Sequence, residues 1–281
     1  MKKTLLWVLA FIIGAGTMVY QRMTGPTYPR HGTVTVAGTA VKYGLPRSMV
    51  IFDDPQIGGA RIAIKAPEPL TGYVEFRRYK TDDDWTRIVL DRKGDTLMGK
   101  LPQQPRAGKL LYKVYLAGAD GAGVSLTGED QVIIRFRGMV PIWVLIPHVL
   151  AMLLAMVVAA RAGLAVFDKD SNPMAYAKWA AIIFFIAGFI LGPAMQYFGF
   201  GPLWTGFPLG HDMTDNKTLV VMIGWIVALM AGRKGKQARA WVLGAALLMF
   251  IVFLIPHSVL GSELDYGKMG PPAAAVPIKL P

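Results

Sequence analysis

The sequence predicts a membrane protein of mixed fold class, with an N-terminal anchor helix, an exported all-β domain and a four-helix transmembrane bundle. Of 281 residues, 53% are hydrophobic and 17% are charged, which is too apolar for an ordinary soluble protein of this size. Apolar runs of about the length needed to cross a bilayer begin the chain and fill its second half. The region between them carries short alternating runs typical of β-strands.

The first apolar run covers residues 5–20 and follows Met1, Lys2 and Lys3. A basic start followed by an apolar run is a cleaved signal peptide or an uncleaved anchor, and we favour the anchor. Four more apolar runs predict further spans at 139–160, 178–198, 218–232 and 240–260. The predicted divisions are therefore an anchor at 1–22, an exported domain at 23–138, a four-helix domain at 139–260 with an outer loop at 199–217, and an extended tail at 261–281.

Lysine and arginine placement predicts the orientation, because cytoplasmic loops are enriched in these residues. Three stretches carry the excess, and all agree with one alternating topology: Lys2 and Lys3; Arg161, Lys169 and Lys178; Arg233, Lys234, Lys236 and Arg239. This topology places the N-terminus in the cytoplasm of a bacterial inner membrane. The large domain, the loop at 199–217 and the C-terminal tail are then periplasmic.

The segment from Thr33 to Arg137 contains β-type runs separated by turn residues. The runs lie at 33–40, 60–66, 73–80, 85–90, 110–116 and 131–137. This spacing, with no helical period, predicts an immunoglobulin-like or fibronectin-like β-sandwich. The segment holds no catalytic constellation, so we expect it to cover a membrane site or to dock another membrane or periplasmic protein.

Composition excludes several function classes. The chain has no cysteine, which rules out disulfides, thiolate metal sites and covalent c-type haem attachment. The formal charge is +12, but the basic residues are spread over loops and the exported domain rather than gathered in one stripe. We therefore expect a lipid membrane, and no nucleic acid, among the partners.

Two histidines occupy the same Leu-Ile-Pro-His phrase in two antiparallel predicted spans. His148 lies near the start of one span and His257 near the end of another. An ionisable residue within a span is costly and is by default a functional-site candidate. Each histidine has a simpler explanation, which is a hydrogen bond to a neighbouring helix or to interfacial water.

The loop at 199–217 adds aromatic and polar candidates to the same face. Trp204 and Phe207 are followed by a dense polar cluster directly before a predicted helix: His211, Asp212, Asp215 and Lys217. A loop with aromatics and glycine can lie at headgroup level with its backbone close to a planar ligand. Thr214 or Asp215 is an expected cap for the helix that follows.

This loop resembles the tryptophan-rich outer loop, often called WWD, of the haem-handling membrane proteins of cytochrome c biogenesis. Phe200-Gly201-x-x-Trp204 parallels the opening of that loop, and Asp215-x-Lys217-Thr218 before Ile223-Gly224-Trp225 parallels its close. Phe200 replaces the first tryptophan, and the stretch from His211 to Thr214 has no counterpart. The resemblance implies haem ligation by flanking histidines, here His148 and His257.

Three hypotheses for function remain open from the sequence, and whether the protein is an enzyme is open with them. The first is a b-type haem for electron transfer or haem handling, with His148 and His257 as axial ligands. In this hypothesis Trp204 and Phe207 pack on the porphyrin, and Lys217 or Arg137 lies near a propionate. The second is a zinc, copper or iron site built from His148, His211, His257, Asp212 and Asp215. The third is a non-catalytic accessory or assembly subunit of a membrane complex.

Overall fold

A computed structural model describes residues 2–55, 57–119, 121–232 and 237–269. The chain forms two compact units. The first comprises Met1–Pro26 and Val140–Ser262, and the second comprises Thr27–Met139 and Glu263–Pro281. The chain therefore passes from one unit to the other at three points. The predicted cytoplasmic residues Arg233, Lys234 and Lys236, and the Pro/Ala-rich part of the tail from 270, lie outside the described residues.

The first unit is helical. Its helices are α1 (Lys2–Thr24), α2 (Ile142–Ala165), α3 (Pro173–Phe185), a π-helical turn (Ile186–Leu191), α4 (Gly192–Phe200), α5 (Met213–Ala231) and α6 (Ala238–Phe253). Four of its helical segments are long and apolar enough to cross a membrane: Lys3–Thr24, Ile142–Ala165, Pro173–Phe200 and Met213–Ala231. Helix α6 is also apolar but has 16 residues, short of the roughly 20 needed.

Helix α1 packs as a fifth member of the bundle. Ala10 is fully buried in a small cluster with Val157 and Ala160 of α2. A Cβ added at Gly14 would lie 3.0 Å from the backbone nitrogen of Val157, so a larger residue here would push the two helices slightly apart. The predicted anchor is thus part of the helical core.

The third span contains a π-helical turn because of a proline. Pro193 has no N–H, and its ring clashes with the carbonyl four residues earlier in a regular α-helix. The chain widens into the π form at Ile186–Leu191 directly before it, and the Gly192 N–H bonds to the Ala187 carbonyl. This span begins at α3. Asn172 is the N-cap of α3, since its side chain accepts a hydrogen bond from the Ala175 N–H, and Pro173 occupies the first turn.

The last helix ends earlier than predicted. Helix α6 ends at Phe253, whereas the apolar run predicts a span to residue 260. Pro256 cannot donate to a helical ladder and disfavours helical geometry at Ile255, and Ser258 and Leu260 adopt positive φ angles of 65° and 49°. The prediction that His257 lies in a span opposite His148 is therefore wrong, because His257 lies in a turn beyond the helix.

The second unit consists of β-strands in three sheets. The strands are β1 (Arg30–Val36), β2 (Thr39–Leu45), β3 (Ser48–Val50), β4 (Ala60–Lys65), β5 (Thr71–Arg78), β6 (Thr86–Val89), β7 (Asp91–Lys93), β8 (Thr96–Leu101), β9 (Lys109–Ala117), β10 (Gly123–Ser125) and β11 (Val132–Arg137). The sheet orders are β1-β2, β3-β11-β9-β5-β6 with β10 also on β9, and β4-β8-β7. Apart from the parallel pair of β3 and β11, the strands pair antiparallel.

One hydrophobic core joins the three sheets. It includes four fully buried residues: Leu45 of β2, Ile62 of β4, Leu101 of β8 and Val114 of β9. Along β4 and β9 the buried residues alternate with exposed or half-buried ones, the pattern expected when one face of a sheet is covered. This single core is what holds the β unit together.

The predicted strand at 33–40 is divided in the structure. Ala37 and Gly38 have φ angles of 47° and 80°, the positive values of a type I′ turn, so residues 30–45 form a two-strand hairpin. Strand β8, which was not predicted, pairs with β4 along its whole length. Its run, Thr96–Leu101, contains a glycine and a lysine, which weaken the apolar alternation.

Candidate functional site

The predicted site residues of the helical unit lie mostly at the end of the bundle formed by the α4–α5 loop and the segment after α6. We call this the α4–α5 end, and define it as residues 196–218 and 254–262. Asp212 caps α5, since its Oδ1 accepts the Thr214 N–H at 2.8 Å. The predicted caps, Thr214 and Asp215, do not fill this position.

Asp212 and Asp215 hold two connecting segments in place. The Oδ2 of Asp212 accepts from the backbone N–H of Ser262 at 2.7 Å and from its hydroxyl at 2.9 Å. The Oδ2 of Asp215 accepts from the N–H groups of Thr205 and Gly206 at 2.7 and 3.1 Å. Carboxylates that accept two backbone N–H groups are strongly held, so both side chains are occupied in fixing the loop and the chain after α6.

Gln196 joins these two carboxylates into one network. Its Nε2 donates to the hydroxyls of Thr205 at 2.8 Å and Ser262 at 2.7 Å. The Thr205 hydroxyl in turn lies 3.2 Å from Asp215 Oδ2, and the Ser262 hydroxyl bonds Asp212. Neither Gln196 nor Ser262 was predicted as a site residue. The signal for Gln196 is a lone carboxamide inside an apolar span, where polar side chains hydrogen-bond across helices.

Lys217 is buried and reaches the segment after α6. It is 4% exposed, and its Nζ donates to the carbonyls of Ile255 at 2.9 Å and Pro256 at 3.4 Å. Both carbonyls lie beyond the C-cap residue of α6, Leu254, and buried carbonyls need a donor, which this ammonium group supplies. Lys217 thus closes the end of the bundle.

The aromatic residues of the loop pack on protein or face outward. Trp204 stacks on Phe189, with 5.6 Å between ring centroids, and its Nε1 donates to the Phe207 carbonyl at 3.1 Å. Phe207 is 68% exposed and Leu209 76% exposed. Such outward aromatic and apolar side chains suit the headgroup level of a membrane.

The three predicted outer histidines differ in their environments. His148, the seventh residue of α2, is half-buried, and its Nδ1 lies 3.1 Å from the Ala187 carbonyl in the π-helical turn. His211 and His257 are exposed. Among the residues that the structure describes, no group of three or more His, Asp or Glu is placed to hold a metal ion, so the five predicted ligands do not gather. Arg137 belongs to the β unit.

No family model matches the chain, and no curated protein or solved structure is recognisably similar to it.

Proposed function

We propose that this chain is a non-catalytic accessory protein of a bacterial inner membrane, whose exported β unit docks another protein. The lysine and arginine distribution supports a cytoplasmic N-terminus. Three largely antiparallel sheets around one core support an immunoglobulin-like or fibronectin-like sandwich for the β unit. In this proposal the helical unit anchors that domain.

The observation that carries the proposal is the outer face of the six-stranded sheet. We call it the tyrosine platform and define it as Tyr73, Glu75, Arg87, Lys113 and Tyr115. The two tyrosine rings stack with 4.9 Å between centroids, and the Arg87 guanidinium lies 4.1 Å from the Tyr73 centroid. These residues point away from the core, as the burial alternation of β5 and β9 requires.

The chemistry of this platform favours an acidic partner. Tyrosine and arginine are the residues enriched at protein interfaces, since they bury large area at a small entropic cost. Arg87 and Lys113 flank a single carboxylate, Glu75, which Arg87 contacts at 2.7 Å. Val89, beside the platform, is 70% exposed and adds apolar surface that a partner could bury.

The α4–α5 end supports the same proposal by its chemistry. Asp212, Asp215 and Lys217 each contact backbone groups of connecting segments. Catalytic acids and bases need a proton-accepting or donating position directed at a substrate. These three side chains instead hydrogen-bond to backbone groups, and so hold the α4–α5 loop and the segment after α6 in one arrangement.

The test is site-specific photocrosslinking in cells. A photoreactive residue at Val89, beside the platform, should give one dominant crosslinked product, and the product should be lost when Arg87→Glu and Lys113→Glu are combined. A photoreactive residue at the exposed Arg61 of β4 is the matched control and should not give that product. Equal products from Val89 and Arg61, or a product unaffected by charge reversal, would argue against docking through this face.

A second candidate function, b-type haem binding, is favoured by His148. A histidine that ligates a metal usually donates its other ring N–H to a carbonyl or carboxylate, and a His148 Nδ1–H directed at Ala187 would leave Nε2 as the ligand. His257 would be the second axial ligand. Trp204 and Phe207 would pack on the ring, although Trp204 stacks on Phe189 in this structure.

Optical spectra of the detergent-purified protein, oxidised and reduced, test this candidate. A Soret band that His148→Ala and His257→Ala each abolish, and that His211→Ala leaves intact, would support it. The same preparation, checked by elemental analysis, also tests a zinc, copper or iron site. A haem-replete expression host that yields folded protein without a Soret band would count against haem.

A further inference from the structure

Strand β6 forms one edge of the six-stranded sheet, directly beside the tyrosine platform. It comes last in the sheet order, after β5, and among the described residues no strand pairs with its other side. Its pairing with β5 runs without a bulge from Thr86 to Val89, and it contains no proline. Bulges and prolines are common means by which proteins block an edge strand. Strand β6 is therefore open to pairing with another chain.

The hydrogen-bond pattern shows which backbone groups face this free edge. The Leu90 N–H donates to the Gly72 carbonyl at 2.9 Å, and in an antiparallel pair the residues alternate between bonding the neighbouring strand and facing away from it. Ile88, two residues before Leu90, therefore bonds β5. The N–H and C=O groups of Arg87 and Val89 point away from β5, and these four groups are available to a further strand.

The side chains along β6 alternate between the outer face and the core. Arg87 and Val89 are exposed, whereas Ile88 is half-buried and packs against the hydrophobic core of the β unit. The Arg87 guanidinium lies 4.1 Å from the Tyr73 ring centroid and contacts Glu75, and both of these residues belong to β5. Because Arg87 is turned inward across the sheet, its side chain leaves the edge accessible.

The outer face beside this edge carries more basic than acidic side chains. Arg77, Arg87 and Lys113 face outward from β5, β6 and β9, and on the outer faces of these three described strands Glu75 is the one carboxylate. Directly before β6, Trp85 lies against Arg77, whose guanidinium carbon is 4.9 Å from the ring centroid. A strand added to β6 would place alternate side chains next to this face, where an acidic residue is attracted.

We propose that the docking partner binds by adding an extended acidic segment as a further strand along the free edge of β6. This inference rests on the proposed docking function and specifies how the partner is held. The backbone of the segment pairs with the outward groups of Arg87 and Val89. An acidic side chain lies beside Arg87 on the outer face, and the neighbouring apolar side chain covers Ile88. In such strand addition the backbone pairing supplies affinity and the alternate side chains supply specificity.

Proline substitutions separate backbone pairing from side-chain contacts. Proline has no N–H and is tolerated in an edge strand where that N–H faces solvent. Arg87→Pro removes an outward N–H, Arg87→Ala keeps that N–H and is the matched control, and Ile88→Pro removes an N–H that bonds β5. The thermal midpoint of Arg87→Pro should therefore be close to that of Arg87→Ala, while Ile88→Pro should melt at a lower temperature.

Photocrosslinking of the full-length protein in cells, from a photoreactive residue at Val89, then measures docking. Arg87→Pro should give roughly three- to tenfold less product than Arg87→Ala, the effect of one lost hydrogen bond. Equal yields from these two variants would overturn strand addition and leave docking through the platform intact. If the chain that keeps Arg87 gives no product at all, the docking proposal itself fails and strand addition fails with it.

Hydrogen exchange keeps the test decisive if Arg87→Pro melts like Ile88→Pro. The unaltered full-length protein is compared in detergent and in membranes of the cells in which the crosslinked product forms. The amides of Arg87 and Val89 should exchange more slowly in the membranes, by more than about tenfold, because a bound strand protects them. The Ile88 amide, already bonded to β5, is the internal control. Equal exchange of Arg87 and Val89 in the two preparations would overturn the proposal.

Discussion

Tyr266 is a single side chain on which much of the C-terminal segment depends. It is 6% exposed, and its hydroxyl accepts the Lys109 N–H at 2.9 Å while lying 3.1 Å from Gln104 Oε1. Burial, the largest effect, raises the pKa of Tyr266 to about 12. The hydroxyl therefore stays protonated and able to donate throughout the physiological range.

We expect Tyr266→Phe to destabilise the β unit by about 1–3 kcal/mol, the cost of leaving a buried backbone donor unsatisfied. Hydrogen exchange of the Lys109 amide in the full-length protein measures this directly, because the amide should exchange faster. Tyr115→Phe is the control: its ring is half-exposed, and the structure gives its hydroxyl no hydrogen bond within the described residues. Unchanged protection in Tyr266→Phe would mean that the hydroxyl contributes nothing.

Glu263 gives the same segment a pH dependence. It accepts from Lys109 at 2.7 Å and Lys80 at 2.6 Å. Burial pushes the pKa of Glu263 upward, but the hydrogen bonds from the two lysines together outweigh it, and the pKa lies below its usual value.

A depressed carboxyl pKa stabilises the folded state above the unfolded pKa, and this stabilisation is lost as the pH falls through the folded pKa. We therefore expect the unaltered protein to lose stability below about pH 4.3, the ordinary glutamate value. Thermal midpoints measured against pH for the protein and for Glu263→Gln provide the comparison. The difference between the two should shrink as the pH falls, and a constant difference would refute the role of this ion pair.

At the scale of elements, the N-terminus of α5 is fixed by one side chain that serves two segments. Asp212 caps the helix and also holds Ser262. We expect Asp212→Ala to destabilise the helical unit by about 1–3 kcal/mol, since a lost N-cap alone costs about 1 and a buried N–H loses its acceptor. Thermal melting in detergent tests this, with Asp170→Asn as an exposed acidic control.

The positions of helices and strands were predictable where a clear apolar run or alternation is present. Their ends were less predictable where backbone geometry ends an element within such a run. The apolar runs predicted where the helices lie along the chain, and the alternation at Arg61–Lys65 predicted β4. Proline chemistry at Pro256 shortened α6 against its hydropathy, and the Ala37-Gly38 turn divided one predicted strand into two. Both deviations are caused by backbone geometry, which hydropathy alone does not predict.

The candidate site was predictable only in its position. The polar cluster from His211 to Lys217 does lie at one end of the bundle with the loop and the segment after α6. Its partners were not predictable, because they are distant in sequence: Ser262 bonds Asp212 across 50 residues and Gln196 across 66. Haem binding at His148 and His257 stays a prediction.

At the scale of the whole molecule, residues from Glu263 onward belong to the β unit although they follow the last helix. We expect a chain ending at Ser262 to lose about 3–5 kcal/mol of β-unit stability, the typical cost of removing a buried large aromatic side chain. Limited proteolysis of the full membrane-embedded protein measures this as faster cleavage within the strands. A chain ending at Met269 keeps Glu263 and Tyr266 and should be cleaved as slowly as the full-length protein.

This placement of the C-terminal segment sets an order of events during synthesis on the ribosome. The strands of the β unit are made before helices α2 to α6, yet the cavity that Tyr266 fills stays empty until translation has passed all of them. A nascent chain that stalls within the bundle lacks Tyr266, so its β unit lacks a side chain that is buried in the finished unit.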